Sequence, residues 1–363
     1  MTGGVLDNSA LESKLESLKA LGTSAASIER WRDFISNAPA DQLFRTNAFE
    51  LAAKWGVDYR QVLTDLIHAT TIGLMELNWD VICPGCAFIN EHDHLETVKA
   101  EQTCGNCNGT FEVTFDHTVE VTFSVHPGIR PIAPHEIPQF KTNTGRVVTG
   151  LDCATLPAFR EFFDTHVLST TESLKVSNVA ILFTDIKGST QLYEKLGDAR
   201  AYQAVHRHFE VLFKNVSENE GALIKTIGDA VMASFTQPIQ AVRAALEAQQ
   251  SFAEFRPLMP DVEDMISVKM GIHHGPCLAV TLNDQIDFFG RTVNIAARTQ
   301  QQAIGGELLL TEATYSDPAV NKLLADKGIT AIGLQAKLRG LSETFVLYKI
   351  EGADTKGMIF ATS

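Results

Sequence analysis

Nowhere in the 363 residues does an apolar run approach the roughly 18 that span a bilayer. The opening, Met1-Thr-Gly-Gly-Val-Leu-Asp7, lacks the basic flank and apolar core of a signal peptide, so a cytoplasmic location is expected. Positive charge is also scarce: 30 Lys and Arg stand against 44 Asp and Glu, and residues 1–175 hold 13 basic against 23 acidic side chains. Grip on a phosphate backbone rests on clustered positive charge, so no nucleic-acid partner is expected. Cysteine is sparse at six residues, too few for a disulfide-stapled scaffold. What is present is 45% apolar content, enough for two domains with separate cores.

Leu11, Leu15 and Leu18 recur at helical spacing and predict a short amphipathic helix over residues 8–22. The pattern stays helical from Ser27 to about Trp79. Within it, two helical stretches flank Gly56, a spacing that fits a helix-turn-helix or winged-helix core and equally a packed helical hairpin. The second helix, with Asp58, Arg60 and Asp65, is poorly charged for DNA, which favours the hairpin. Alternation then predicts strands at 111–115 and 118–123. Residues 1–125 are thus expected to form one N-terminal module. Pro127, Pro131, Pro134 and Pro138 open a linker over 126–175, with a helix near Ala158–His166, and a tail is expected over 351–363.

Four of the cysteines form two pairs, Cys83-x2-Cys86 and Cys104-x2-Cys107, separated by 17 residues. In a reducing compartment this spacing reads as a structural zinc site before free thiols or a redox pair, because four thiolates close a tetrahedral shell. A closed shell leaves no open position for catalysis. His92 and His94 lie in the intervening loop and are expected to be solvated.

From 176 to 350 strands and helices alternate. A strand at 179–184, a helix at 201–219, a hairpin at 222–235, a helix at 239–255, a strand at 266–273, a helix at 292–302 and strands at 307–310 and 344–350 make a β-α-β-β-α-β, ferredoxin-like order with additions. An α+β fold is expected for the chain.

Asp185 stands where the first of these strands runs out, ahead of Ile186 and a turn with Gly188. The hairpin turn supplies a second carboxylate, Asp229, after Gly228. Alone, either reads as a solvated turn residue. Together, with a backbone carbonyl such as that of Ile186, they are the hard oxygen donors that two Mg²⁺ or Mn²⁺ ions take alongside substrate phosphates. A third segment, Asp287-Phe-Phe-Gly290-Arg-Thr-Val-Asn294-Ile-Ala-Ala-Arg298, places Asn294 and Arg298 on one helical face.

These three segments, in this order and spacing, resemble the class III nucleotide cyclases, the family of adenylyl and guanylyl cyclases. The resemblance covers about Val176–Ile350. It implies conversion of ATP to 3′,5′-cyclic AMP and pyrophosphate at a site shared between two subunits. By resemblance, Asp185, the Ile186 carbonyl and Asp229 hold the metals, and Lys225 and Asp287 read adenine. Asn294 orients the ribose and Arg298 faces the α-phosphoryl group; Arg339 matches loosely a residue that touches the terminal phosphates. An ammonium donor and a carboxylate acceptor suit the N1 and N6 positions of adenine. The N-terminal half resembles a module attached to some bacterial cyclases, with a regulatory or dimer-aligning role expected. Competing readings are a cyclase for GTP or a pyrimidine nucleotide, a nucleotide-binding protein without turnover, and a zinc-ribbon transcription factor. A diguanylate cyclase would need a Gly-Gly-Asp/Glu-Glu-Phe hairpin, where this chain has Gly228-Asp229-Ala230.

Overall fold

The structure, a computed structural model, describes residues 5–137, 145–163, 167–255 and 267–351. It divides into two compact units: unit 1 runs to Lys175 and includes Val280–Ile286, and unit 2 comprises Val176–Ala279 with the residues from Asp287 onward.

In unit 1, α1 (Asn8–Ala20) starts where the Asp7 carboxylate accepts from Ala10 N at 2.9 Å, and it buries the expected Leu11, Leu15 and Leu18 stripe. Next come α2 (Ala25–Asn37), α3 (Ala40–Leu43), α4 (Ala48–Trp55) and α5 (Tyr59–Thr71), the last two forming the hairpin around Gly56. Trp31, Phe34 and Trp55 meet edge to face with centroids 5.0–6.1 Å apart, the geometry that ring quadrupoles favour. Asp65 is buried among these helices. Its carboxylate is not orphaned, because it accepts from Thr23 Oγ1 at 3.0 Å and Trp31 Nε1 at 3.3 Å.

The chain then forms β1 (Met75–Ile82), β2 (Ile89–His92), β3 (Glu101–Thr103), β4 (Thr110–Glu112), β5 (Val119–Val125) and β6 (Val148–Thr149). The sheet order is β2-β1-β5-β6, with β3 and β4 a separate antiparallel ribbon. Buried Trp79 and Phe123 line its inner side, while Arg45 pairs with buried Asp80 at 2.8 Å. The stretch 126–175 carries β6, α6 (Gly150–Ala154) and α7 (Pro157–Phe162) and folds with unit 1. Residues 138–144 and 164–166 of that stretch, and the expected tail from 352, lie outside the described residues.

Unit 2 begins on β7 (Leu174–Ile186), which extends the expected strand at its start. It continues through α8 (Ser189–Leu196), α9 (Asp198–Glu218), β8 (Ala222–Ile227), β9 (Ala230–Phe235), α10 (Pro238–Phe255) and β10 (Val268–Leu282). Then come β11 (Gln285–Phe289), α11 (Arg291–Gln302), β12 (Glu307–Thr311), α12 (Glu312–Tyr315), α13 (Pro318–Asp326), β13 (Ile332–Lys337) and β14 (Thr344–Glu351). The mixed sheet runs β13-β14-β12-β10-β7-β9-β8, with β11 paired to β10. Its last four members follow the strand order of the expected β-α-β-β-α-β unit. α9 and α10 close its core with Ala204, Leu212, Val242, Ala245 and Phe252 against Leu182 and Met270 of the strands. One expectation is corrected: β10 does not stop at 273 but passes through Gly275-Pro276 to Leu282, because the strand pairs onward with β11. Ile266 lies outside the described residues.

Candidate functional site

β7 and the β8–β9 hairpin are neighbours in the sheet, so the end of β7 and the hairpin turn meet. Gly228 takes φ 63° there, a left-handed conformation that a side chain would strain, and this turns Asp229 back toward β7. The Asp229 carboxylate accepts from Ile186 N at 3.2 Å. Burial, then the charge of Asp185, push the Asp229 carboxyl above its ordinary range, and the amides of Asp229 and Ile186 offset this only in part. Two carboxylates that repel in a half-buried setting are relieved by a divalent cation, so Asp185, Asp229 and the adjacent Ile186 carbonyl fit hard metal ions.

A cation already touches this site. Lys269 of β10 places Nζ 2.5 Å from Asp185 Oδ2, and Gln300 Nε2 of α11 donates to the same oxygen at 3.5 Å. Neither residue was singled out from the sequence. The signal for Lys269 was there, a cation between Val268 and Met270 in an apolar strand, but nothing local tells what it faces. Gln300 reaches the carboxylate because α11 lies directly on β10: a Cβ at Gly271 would come within 2.2 Å of Gln300 N.

Lys225 and Asp287 are also brought together. Lys225 Nζ donates to Asp287 Oδ2 at 2.5 Å, while Asp287 Oδ1 accepts from Phe288 N at 2.7 Å. A β-bulge breaks the β8–β9 register between Leu223 and Lys225; bulges re-aim the side chains beside them. The Asp287 side chain is buried and that of Lys225 is partly exposed, so the ammonium keeps an open side.

Asn294 and Arg298 lie one turn apart on α11, whose start is tied to β10 by Thr292 Oγ1 donating to Pro276 O at 2.5 Å. Asn294 is exposed, and Arg298 Nη1 donates to Gln301 Oε1 at 2.8 Å. Among the described residues neither is paired with the carboxylates of its own chain. Arg339 is exposed in the turn after β13 and forms no ion pair among the described residues. The structure therefore assembles Asp185, Ile186 and Asp229 as one group and Lys225 with Asp287 as another, leaving Asn294, Arg298 and Arg339 apart. Large apolar side chains stand exposed in the same loops, Ile227 beside Gly228 and Phe289 beside Gly290.

Residues 171–347 match the adenylate and guanylate cyclase catalytic domain family. This segment is a cyclase catalytic domain. Residues 8–186 match a family of unknown function (DUF5939). A receptor-type adenylate cyclase of Trypanosoma brucei brucei, GRESAG 4.1, is 30% identical over 210 residues, covering 47% of this chain and 16% of that protein. An adenylate cyclase of Lachancea kluyveri is 34% identical over 158 residues, covering 39% of this chain and 8% of that protein. The chain thus spans less than a fifth of the length of these relatives. A solved adenylate cyclase of Trypanosoma brucei in its monomeric state has 26% identity over 51% of this chain and 93% of that one, at a TM-score of 0.42.

The four paired cysteines of unit 1 form a second centre, remote in sequence from the cyclase domain. Each knuckle repeats one geometry: Ala87 N donates to Cys83 O and Asn108 N to Cys104 O, and Ala87 and Asn108 both take φ 57°. All four sulfurs lie within 4.8 Å of one another, with Cys83–Cys107 at 3.8 Å and Cys86–Cys104 at 3.6 Å. A disulfide needs about 2 Å, whereas four sulfurs about 2.3 Å from one tetrahedral zinc stand about 3.8 Å apart. Asn106 Nδ2 points at Cys86 Sγ at 3.7 Å, a donor suited to a thiolate. His92 faces elsewhere, its nitrogens engaged by Thr97 and Gln102.

Proposed function

We propose that the chain is an adenylate cyclase that converts ATP to 3′,5′-cyclic AMP and pyrophosphate at a site completed by a second copy. The observation that carries the choice of ATP is the Lys225–Asp287 pair. The lysine offers a proton to a ring nitrogen and the carboxylate accepts one from an exocyclic amine, which is the pattern of adenine and the reverse of guanine. The names of the relatives, adenylate cyclases at 30–34% identity over this segment, support the same substrate.

In this reading Asp185, Asp229 and the Ile186 carbonyl hold two Mg²⁺ or Mn²⁺ ions, which supply Lewis-acid stabilisation of the ribose 3′-oxygen and the triphosphate. The 3′-oxygen attacks the α-phosphorus in line, its proton passes to solvent water, and the bond to the departing pyrophosphate breaks. Asn294 orients the ribose, Arg298 meets the charge that builds on the α-phosphoryl oxygens, and Arg339 approaches the terminal phosphates. Asn294 and Arg298 act on nucleotide held by the other chain. Their separation from the carboxylates of their own chain supports this, as do the exposed Ile227 and Phe289 beside the catalytic loops.

The cysteine knuckles hold one structural zinc as a ribbon on a winged-helix-like helical module. That module, residues 1–125 with the linker 126–175, regulates the catalytic domain at 176–350 in the manner of modules on bacterial cyclases. No described helix is long and apolar enough to cross a membrane, which supports a cytoplasmic place. The acidic N-terminal half supports a role without nucleic acid.

The test is complementation. Asp185→Ala and Asn294→Ala proteins are each expected to be inactive, and an equal mixture to recover roughly a quarter of wild-type cyclic AMP formation, since half the dimers then hold one intact site. Failure to recover with subunit exchange verified removes the shared site, and preference for GTP or CTP by wild type removes the assignment of ATP.

A further inference from the structure

Val280–Ile286, the outer part of the β10–β11 hairpin, lies within the sequence that matches the cyclase family yet folds as part of unit 1. Side-chain hydrogen bonds from two residues hold it there. Thr281 Oγ1 donates to Leu168 O at 2.6 Å, and Arg160 Nη1 of α7 donates to Ile286 O at 2.8 Å, with Nη2 directed at Gln285 Oε1 at 3.4 Å. Arg160 is itself seated on a firm base. Its neighbours Phe159 and Phe162 pack edge to face on Trp79 of β1 and His68 of α5, and Phe159 is 2% exposed.

Ile286 directly precedes Asp287. The Ile286 carbonyl and the Asp287 N–H share one rigid peptide plane, so fixing that carbonyl restricts ψ of Ile286 and φ of Asp287 together. A guanidinium donor makes this a charge-assisted bond, stronger than a neutral one. From the other side the Asp287 carboxylate is engaged by Lys225 Nζ and Phe288 N. The direction of the carboxylate therefore depends on a backbone held by Arg160.

We infer that Arg160 is a positioning residue for Asp287 and, through the Ile286 carbonyl, sets the preference for adenine over guanine. The inference rests on the reading of Lys225 and Asp287 as the base-recognising pair. It makes α7, outside the catalytic family's sequence, a determinant of substrate choice.

The experiment compares kcat and KM for ATP and for GTP in the full-length wild type, Arg160→Ala, Arg160→Lys, Asp287→Ala and the Arg160→Ala/Asp287→Ala double variant. Arg160→Ala is expected to raise KM for ATP about tenfold, the loss of one charged hydrogen bond, with kcat changed less than about threefold and KM for GTP unmoved. Arg160→Lys should restore part of the ATP preference. In the Asp287→Ala background the Arg160 change should have no further effect on that preference, because a positioning residue has nothing left to position. An equal loss for both nucleotides, or a fall in kcat at constant preference, overturns the inference and marks Arg160 as only a structural tie. If Asp287→Ala leaves the preference for ATP intact, the base reading fails and this inference with it; if Asp287→Ala abolishes it while Arg160→Ala does not, only the role of Arg160 fails. Should Arg160→Ala not fold, Arg160→Gln is judged by the same ratio of KM values.

Discussion

At Asp185 the proposed divalent ions would contend with an ammonium for one carboxylate. The Lys269 ammonium lies 2.5 Å from Oδ2, so a divalent ion binding there must displace it or share the oxygen. Lys269→Met is therefore expected to tighten Mn²⁺ binding to the nucleotide-free protein about tenfold, toward the solvent-screened end of the ~1 to ~4 kcal/mol that separates unit charges about 4 Å apart in water from those near a protein surface. Calorimetric titration reads this directly, and unchanged or weaker binding would show that the amine does not compete. His208 poses a different problem. Its ring is 1% exposed, stacks on Phe252 with centroids 5.5 Å apart, and has no hydrogen-bond partner at either nitrogen among the described residues. Burial depresses its pKa from 6.5 to about 4, against an upward pull from Asp185. Between these values the unfolded chain binds a proton that the folded chain refuses. The stability contribution is thus complete above pH 6.5 and falls on acidification toward pH 4, by up to about 3 kcal/mol. His208→Phe should flatten that part of the urea-midpoint profile; a profile identical to wild type would show that His208 does not titrate in this way. Asp185, Asp229 and the i, i+4 pair Asn294 and Arg298 were legible as local chemistry, whereas Lys225 and Asp287, 62 residues apart, were matched only through the family resemblance. The partners of Asp185 were not, because Lys269 and Gln300 reach it only through packing.

The seat of α11 on β10 shows the same division among elements. The helix was legible from its period, but its distance from the strand is set at Gly271, where a Cβ would lie 2.2 Å from Gln300 N and 2.5 Å from its Cα. These are backbone atoms and cannot swing aside. Gly271→Ala is expected to cost on the order of 3 kcal/mol in denaturant unfolding, by overpacking, and to reduce activity by shifting Asn294 and Arg298. A stability change below about 0.5 kcal/mol would mean that α11 slides at no cost. Other elements escaped the sequence for identifiable reasons. Gly275-Pro276 reads as a stop, yet β10 continues through it to pair with β11. β13 carries Gly333 and exposed positions, so it shows neither clean alternation nor an apolar run, and its existence depends on pairing with β14. The bulge before Lys225 belongs to the same class, since an unpaired residue is defined only by the strand opposite.

For the whole molecule, metal removal probes unit 1 by itself. Cys104→Ser should lose about one zinc per chain by elemental analysis, and chelation of the wild type should lower the unfolding midpoint of unit 1, because binding energy at a four-thiolate site is folding energy. Unchanged zinc content in the variant would contradict the ribbon. By itself the sequence determined the α+β character, the spacing of the two cysteine knuckles and the three segments read as catalytic, because each is written in residues a few positions apart, where chain geometry is nearly fixed. The tertiary structure alone decided that Gln300 meets Asp185 across 115 residues, that Arg160 holds Ile286 across 126, and that Val280–Ile286 folds with unit 1. Contacts at such separations depend on the packing of whole elements, to which every intervening residue contributes and which no local pattern records.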